Sequence, residues 1–426
     1  MQSMAVPLHV YDVGLEVLSP VAIGAGETEK LSAYTDYLYE GRHVRILDQK
    51  KLMRRINEHP ELIEEYVRGI RGGMDNNRST FDLKRFINDT LKCHLDDVTA
   101  SIVESQVDPG RQAIIRCVSS NGKAFIPGSS LKGALRTAVL LDWLIEDDAS
   151  YPTYSRIGEL IELPDPKAGE LLGALEVDKA CFGPIENDQF RYLHVSDLHS
   201  QVTSTTCITT RLRIHTSQSE RYRDNTQGRK YQNNRGQKQK SDMRFQCEAI
   251  KPGSKFDGEL RLYGRTTESA ECDRHVLEHQ GYFDFLRKND LASLLMRMNA
   301  FSLFIVEREI GVLSKINRCS LAHRYYKTLH SQISAIIREN TRQAIVRLGH
   351  GKTWFDNSIG LMYKEEVRDQ ESHLRGLIGL AFEKDEKRRK VLAAKDFPKT
   401  RTFTELNRKP DQPFGWIKLT FTPRGN

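Results

Sequence analysis

Runs of apolar residues at strand and helix spacing divide the chain into elements. Val10, Val13, Leu15 and Val17 are mostly two apart and end at Ser19-Pro20, which predicts a strand over residues 6–18. A glycine-containing loop, Ile23-Gly24-Ala25-Gly26-Glu27, follows it. Tyr37 to Leu47 reads as a short hairpin around Glu40-Gly41. Asp48 to about Ile70 has a helical pattern, interrupted near Pro60 and ended by Gly72-Gly73; Phe81 to Leu91 resumes it. Ala113 to Ser119 is strand-like. Phe125-Ile126-Pro127-Gly128-Ser129-Ser130 then runs into the clearest helix of the chain, reaching about Ile145. Leu131, Leu135, Val139 and Leu144 form its core stripe, and Ser129 or Ser130 is placed to cap it. Weaker helix signals occupy residues 155–180, around Pro164 and Pro166.

Strand patterns return at Phe190–Val195, Ser204–Ile214, Arg244–Ile250 and Phe256–Tyr263. After about residue 275 helices take over. Tyr282, Phe285, Leu286, Leu294, Leu295 and Met298 mark one; Ile333, Ile336, Ile337, Ala344 and Ile345 mark another. A loop, Gly349-His350-Gly351-Lys352-Thr353-Trp354, comes next. The last element, Gly415 to Phe421, alternates strictly: Ile417, Leu419 and Phe421 on one face, Trp416 and Lys418 on the other. The order predicts an α+β chain with antiparallel sheets. At 426 residues it exceeds one ordinary domain. The change of character divides it into 1–270, with inserted helices and a basic hairpin, and a helix-rich 271–426.

Composition excludes several classes. Hydrophobic residues at 38% suffice for two cores, and charged residues at 28% argue against wholesale disorder. No stretch approaches the roughly 18 apolar residues of a membrane span. The start, Met1-Gln2-Ser3-Met4-Ala5-Val6-Pro7, has neither a basic nor an apolar region of a signal peptide. Seven cysteines stand singly with no C-x-x-C pair, against a structural zinc site or a disulfide framework, so a reducing, cytoplasmic setting is expected.

The net charge of +7 is concentrated. Residues 211–244 hold ten basic residues against Glu220, Asp224 and Asp242, which accounts for the whole excess. Arg221, Arg223, Arg229, Lys230 and Arg235 lie in its centre, among Gln, Asn and Gly, with Tyr222 and Tyr231 interleaved. So few apolar residues predict a hairpin tip that is mobile without a partner. The spacing suits a phosphate backbone with exposed bases, and equally a solvated loop that touches nothing.

Two glycine motifs invite chemistry. Pro127-Gly128-Ser129-Ser130-Leu131-Lys132-Gly133-Ala134-Leu135-Arg136 opens a helix, where free N–H groups and the dipole favour an anion. Lys132 and Arg136 are four apart and project from one face. The alternative is a capped helix with Gly133 allowing close packing. Gly351-Lys352-Thr353 resembles the end of a P-loop. That motif needs glycine at Val346, after a strand, whereas Val346 falls in a helical pattern, so nucleotide hydrolysis is excluded. A loop that contacts nucleic acid and a plain helix–helix turn both stay open. Thirteen histidines are scattered without H-E-x-x-H, and no G-x-S-x-G occurs. His194 and His199 flank Asp197. Asp147-Asp148 and Glu365-Glu366 read as solvated helix faces. No catalytic constellation assembles from spacing.

Taken in order, Ile23-Gly24-Ala25-Gly26, the Ile126–Arg136 run, Cys181-Phe182-Gly183 leading to Val195-Ser196-Asp197, Gly349-His350-Gly351-Lys352 and Gly415-Trp416-Ile417-Lys418 resemble the RAMP superfamily of CRISPR proteins. Order and length are similar to subunit five of the type III-A Csm effector, from about Pro7 to Phe421. The resemblance implies two ferredoxin-like (RRM-like) modules elaborated by helices. It implies a single-copy subunit that caps the complex near the 3′ end of the guide RNA. Its partners would be crRNA, a neighbouring backbone RAMP subunit and other Csm subunits; recruitment of a nuclease stays open, and no metal or cofactor is expected. RNA contact is carried onto Gly24, Gly26, Ser129, Ser130, Lys132, Arg136, Gly349, Gly351 and Lys352. The basic tip is added from charge alone. The slicing aspartate of backbone subunits has no good counterpart: Asp36 lies in a comparable region, but Tyr34-Thr35-Asp36-Tyr37 looks like strand entry. Two alternatives remain: a metal-independent endoribonuclease of the Cas-six type, with His43, His194 or His350 as the working histidine, and the terminal subunit of a Cmr complex.

Overall fold

The computed structural model describes residues 8–24, 29–76, 81–163, 167–185, 188–202, 204–216, 242–263, 291–363, 368–381 and 397–424. The strands are β1 (Leu8–Val17), β2 (Lys30–Leu31), β3 (Tyr37–Glu40), β4 (His43–Leu47), β5 (Thr99–Ser105), β6 (Ile114–Ile115), β7 (Ser119–Ser120), β8 (Lys123–Ile126), β9 (Leu193–Val195), β10 (Leu198–His199), β11 (Thr206–His215), β12 (Met243–Ile250), β13 (Lys255–Tyr263), β14 (Gln343–Arg347), β15 (Thr400–Leu406), β16 (Lys409–Pro413) and β17 (Trp416–Pro423). The helices are α1 (Gln49–Asn57), α2 (Ile63–Asn76), α3 (Leu83–Arg85), α4 (Gly128–Glu146), α5 (Tyr151–Glu162), α6 (Ala168–Ala174), α7 (Val177–Phe182), α8 (Leu291–Leu313), α9 (Ser320–Glu339) and α10 (Arg368–Ala381).

The mixture is α+β, as its pattern predicts, in two sheets. The first runs β14-β17-β1-β13-β10-β8-β7, with β9 also on β13. The second runs β2-β6-β12-β11-β5-β4-β3, with β15 on β11 and β16 on β15. Both ends of the chain enter the first sheet: Val17 pairs with Ile417 and Leu15 with Leu419. Most pairings are antiparallel, but β5–β11 and β6–β12 are parallel, which alternation within a strand cannot foretell.

The largest core joins the first sheet to α4, α8, α9 and α10. Trp416 is fully buried in it, edge-on to Tyr326 with ring centres 6.3 Å apart. A second, small core gathers Leu52, Ile56, Tyr66, Leu83, Phe86 and Val98 of the helical insertion.

Three predicted boundaries are corrected. Gly72-Gly73 does not end α2, which continues to Asn76. Its glycines admit neighbouring rings: a Cβ at Gly73 would lie 2.5 Å from the Tyr34 ring, and one at Gly69 2.2 Å from Phe81. Ala344 and Ile345 belong to strand β14, because α9 stops at Asn340 in the left-handed region (φ 48°). Ala113–Ser119 supplies only the two-residue strand β6 before its final serine.

Candidate functional site

The first and last glycine loops interlock between the two sheets. After β1, the Leu18 and Ser19 amides donate to Trp416 O, and Ser19 Oγ accepts from the Trp416 amide at 3.0 Å. The chain then bridges Val21 to Ile250 and Gly24 to Cys117. From the other side, β14 ends and Gly349 turns with φ 67°. The His350 amide donates to Ala22 O at 2.7 Å. A Cβ on Gly349 would lie 2.4 Å from Ala22 O, and one on Gly24 2.7 Å from His350 Nε2. Gly351 (φ 96°) lies equally close to Phe414. These three positions hold bare backbone because a side chain has no room there. Gly26 lies outside the described residues.

Arg347 fastens the late loop from beneath. Its Nη1 donates to both Asp356 oxygens at 3.2 Å, Nε to Phe414 O at 2.9 Å and Nη2 to Gly351 O at 2.6 Å. Asp356 also accepts from Thr353 Oγ1 at 2.8 Å and caps the short turn Trp354–Asn357. Lys352 Nζ donates to Asn357 Oδ1 at 3.3 Å, and burial pushes its amine below the ordinary lysine value against the pull of Asp356. Val346 is in a strand, not a helix, which corrects the reason given against a P-loop. The exclusion stands because Val346 is not glycine and only a 3-10 turn follows Lys352.

The second motif closes on itself. The Gly128 amide donates to Asp197 Oδ1 at 2.8 Å. A Cβ on Gly128 would lie 2.3 Å from Val195 O, so the Val195-Ser196-Asp197 segment sits directly against the start of α4. Asp197 therefore meets the first free amide and the positive helix end, and neither Ser129 nor Ser130 makes a capping bond. Gly133, expected to allow close packing, faces open space. Arg136 stacks 3.8 Å over the Phe182 ring centre and binds Asp178 (3.1 and 2.7 Å) and Asp188 (2.7 Å). Lys132 Nζ lies 5.8 Å from the Phe190 ring centre, its pKa lowered by burial, with no ion pair among the described residues. Ser129 is exposed and Ser130 half-buried beside it.

The model of the RAMP superfamily matches residues 14–400. The chain belongs to the RAMP superfamily. It is 25% identical over 430 residues to the CRISPR-system protein Csm5 of Methanocaldococcus jannaschii, covering 96% of this chain and 88% of that relative. Its fold is similar to a chain in the cryo-EM structure of a Csm–crRNA–target RNA ternary complex of a type III-A system. There the TM-score is 0.60 at 20% identity, over 96% of this chain and 100% of the other. It is also similar to the crystal structure of T. onnurineus Csm5, with TM-score 0.56 and 19% identity over 95% and 99% of the two chains.

In this RAMP fold the two glycine motifs do not meet. Ser196, against Gly128, bonds to Glu259 O, and Glu259 pairs with Asp12. The interlocked loops stand level with Leu18. Six strand residues separate the two levels, about 20 Å. Arg221, Arg223, Arg229, Lys230 and Arg235 lie outside the described residues. The strands on either side of them, β11 and β12, pair antiparallel from Thr206↔Ile250 to Arg213↔Met243. His43 and His194 are exposed at separate places, and His350 stands in the glycine-loop junction. The Asp36 carboxylate accepts from the Ser32 amide at 2.7 Å, closing a turn before β3. Among the described residues no three His, Cys, Asp or Glu side chains gather as for a metal, and no helix is long and apolar enough to cross a membrane. One functional candidate escaped the sequence reading. Arg211 counts there only as one charge of a basic segment, yet it is buried in β11.

Proposed function

We propose that this chain is a non-catalytic, RNA-binding structural subunit of a type III-A CRISPR effector. It caps the assembly near the 3′ end of the guide RNA, adjoins a backbone RAMP subunit and other Csm subunits, and supports crRNA maturation. The reading rests on the interlocked glycine loops within a chain whose RAMP match spans residues 14–400. Gly24, Gly349 and Gly351 let the loops lock together into one surface, on which Lys352 places a cation for a phosphate. Gly26 and the basic residues from Arg221 to Arg235 extend the contact in this reading. Ser129, Ser130 and Lys132 form a second point of contact. Arg136, whose charge is met by two aspartates, positions that helix instead. Among the described residues, Cys117, Cys207, Cys247 and Cys319 are buried cysteines outside any disulfide, which accords with a reducing, cytoplasmic setting.

The test is RNA binding by the purified chain across a salt series with chelator present. Intact RNA held with a steep salt dependence supports the reading. RNA cleaved in chelator, and spared after His350→Ala, replaces it with the Cas-six type of endoribonuclease. Copurified Cmr rather than Csm subunits would reassign the complex.

A further inference from the structure

Arg211 occupies the middle of β11, opposite Phe245 of β12. Cross-strand partners share a face, so Arg211, Arg213, Phe245 and Cys247 all lie on one side of the second sheet. That side meets the glycine loops, since Cys247 packs with Ala22 and Phe414. Arg211 is 9% exposed. Its Nε and Nη1 are enclosed and have no hydrogen-bond partner among the described residues. The other two buried arginines among the described residues each face a carboxylate, Arg347 that of Asp356 and Arg401 that of Glu309, although Arg401 Nη2 is also left without a partner. The nearby acid Glu248 pairs with Ile208, which puts it on the opposite face, bound to Arg116 and Thr206. Instead of an acid, Arg211 has a second cation beside it: the Arg211 and Arg213 guanidinium carbons lie 5.9 and 5.6 Å from the Phe245 ring centre. Burial and Arg213 both lower its pKa, and its charge in turn helps to hold His350 below the usual imidazole value. A buried guanidinium with its donors unmet is costly in a free protein. It is stabilised once an anion arrives.

We propose that Arg211 is the receptor for one backbone phosphate of RNA at the glycine-loop junction, with Arg213 and Phe245 continuing the track along the sheet. The uncompensated Arg211 charge attracts the phosphate to this face, and the half-exposed Phe245 ring offers a base a stacking face. The assignment rests on the RNA-binding reading and adds to it the residue at which that RNA is held.

Arg211→Met and Arg211→Lys decide it, each measured for thermal midpoint without ligand, for RNA affinity across salt, and for response to inorganic phosphate. Arg211→Met is expected to melt no lower than the parent, because it removes an uncompensated charge. RNA affinity should fall about tenfold, and the slope of log K on log salt should shrink by about 0.7. Arg211→Lys should recover part of the affinity. Unchanged affinity and slope in Arg211→Met overturn the proposal. So does a midpoint several degrees lower in both variants, which would mean that the guanidinium already has a partner in the free protein. If the parent binds no RNA, the proposed function fails. A phosphate-induced rise in midpoint, present in the parent and absent in Arg211→Met, would then keep Arg211 as an anion receptor, and no rise would overturn that as well.

Discussion

The amide of Gly128 and the carboxylate of Asp197, 69 residues apart in sequence, meet at 2.8 Å and start the longest helix of the first half of the chain. One oxygen satisfies an amide that the helix leaves free and places negative charge at its positive end. Asp197→Ala should therefore cost about 0.5–2 kcal/mol, seen as a lower denaturant midpoint at unchanged slope. Asp197→Asn, an equally good cap, should cost less. Equal midpoints for parent and Asp197→Ala would show that the helix start finds its partner elsewhere.

Gly128 and Gly133 stand five residues apart in the same motif and should respond with opposite signs. At Gly133 a methyl group enters open space on an exposed helix face. Alanine there should stabilise by about 0.5–1 kcal/mol. At Gly128 the same methyl would lie 2.3 Å from Val195 O, and backbone must move. Alanine there should destabilise by about 1–3 kcal/mol. Parallel denaturation of the two variants tests both, and a stabilised Gly128→Ala would contradict the packing described.

Two buried ion pairs hold the C-terminal part. Arg401 Nε reaches both Glu309 oxygens at 2.8 Å, each side chain 2% exposed. Removing one partner leaves the other charged, buried and unpaired. Glu309→Leu should cost about 3–5 kcal/mol, while Glu309→Leu with Arg401→Met should recover most of the loss. A double-mutant cycle on denaturant midpoints gives the coupling directly.

Local structure was largely legible, and long-range placement was not. The β3–β4 hairpin is announced by Glu40-Gly41, and Gly41 takes the left-handed conformation that the turn needs (φ 69°). The end of β1, the length of α4 and the alternation of β17 follow from apolar spacing. The misread end of α9 had a signal: Asn340 is the residue type, after glycine, that tolerates a left-handed helix stop. The apolar residues of β14 simply continued the count past it. The two glycine loops could be recognised singly, but Gly24 and His350 lie over 300 residues apart, and no spacing rule joins them. Arg136 looked available because its partners, Asp178 and Asp188, come from weakly patterned sequence. Arg211 looked like surface charge because its surroundings come from the facing strand, with Phe245 opposite it, more than 30 residues away in sequence.

The basic segment tests the charge argument independently of the described residues. Each phosphate neutralised by a lysine or arginine on a single strand contributes about 0.7 to the slope of log K on log salt. Replacing Arg221, Arg223, Arg229, Lys230 and Arg235 by glutamine should flatten that slope by up to about 3.5, with little change in the thermal midpoint. A slope equal to the parent's removes this segment from the RNA path.

Stability should also fall on mild acidification, through two histidines. Burial lowers the pKa of His350, with Arg211 adding to it, and burial and then Lys327 lower that of His323. His323 Nε2 is enclosed without a partner, whereas His350 is exposed, so solvent screens its share of the effect. In the unfolded chain both rings take up protons near the ordinary value of about 6.5. The folded chain takes them up only at lower pH, so as pH falls below about 6.5 the unfolded state binds more protons and stability declines with it. Above that value both rings are neutral in both states, and the two contribute no pH dependence. His350→Gln and His323→Gln should each flatten the decline in the window just below pH 6.5 and leave the denaturant midpoint at pH 8 nearly unchanged. Arg211→Met should flatten it as well, by removing the cation that opposes protonation of His350. A decline as steep in Arg211→Met as in the parent would show that burial alone governs His350.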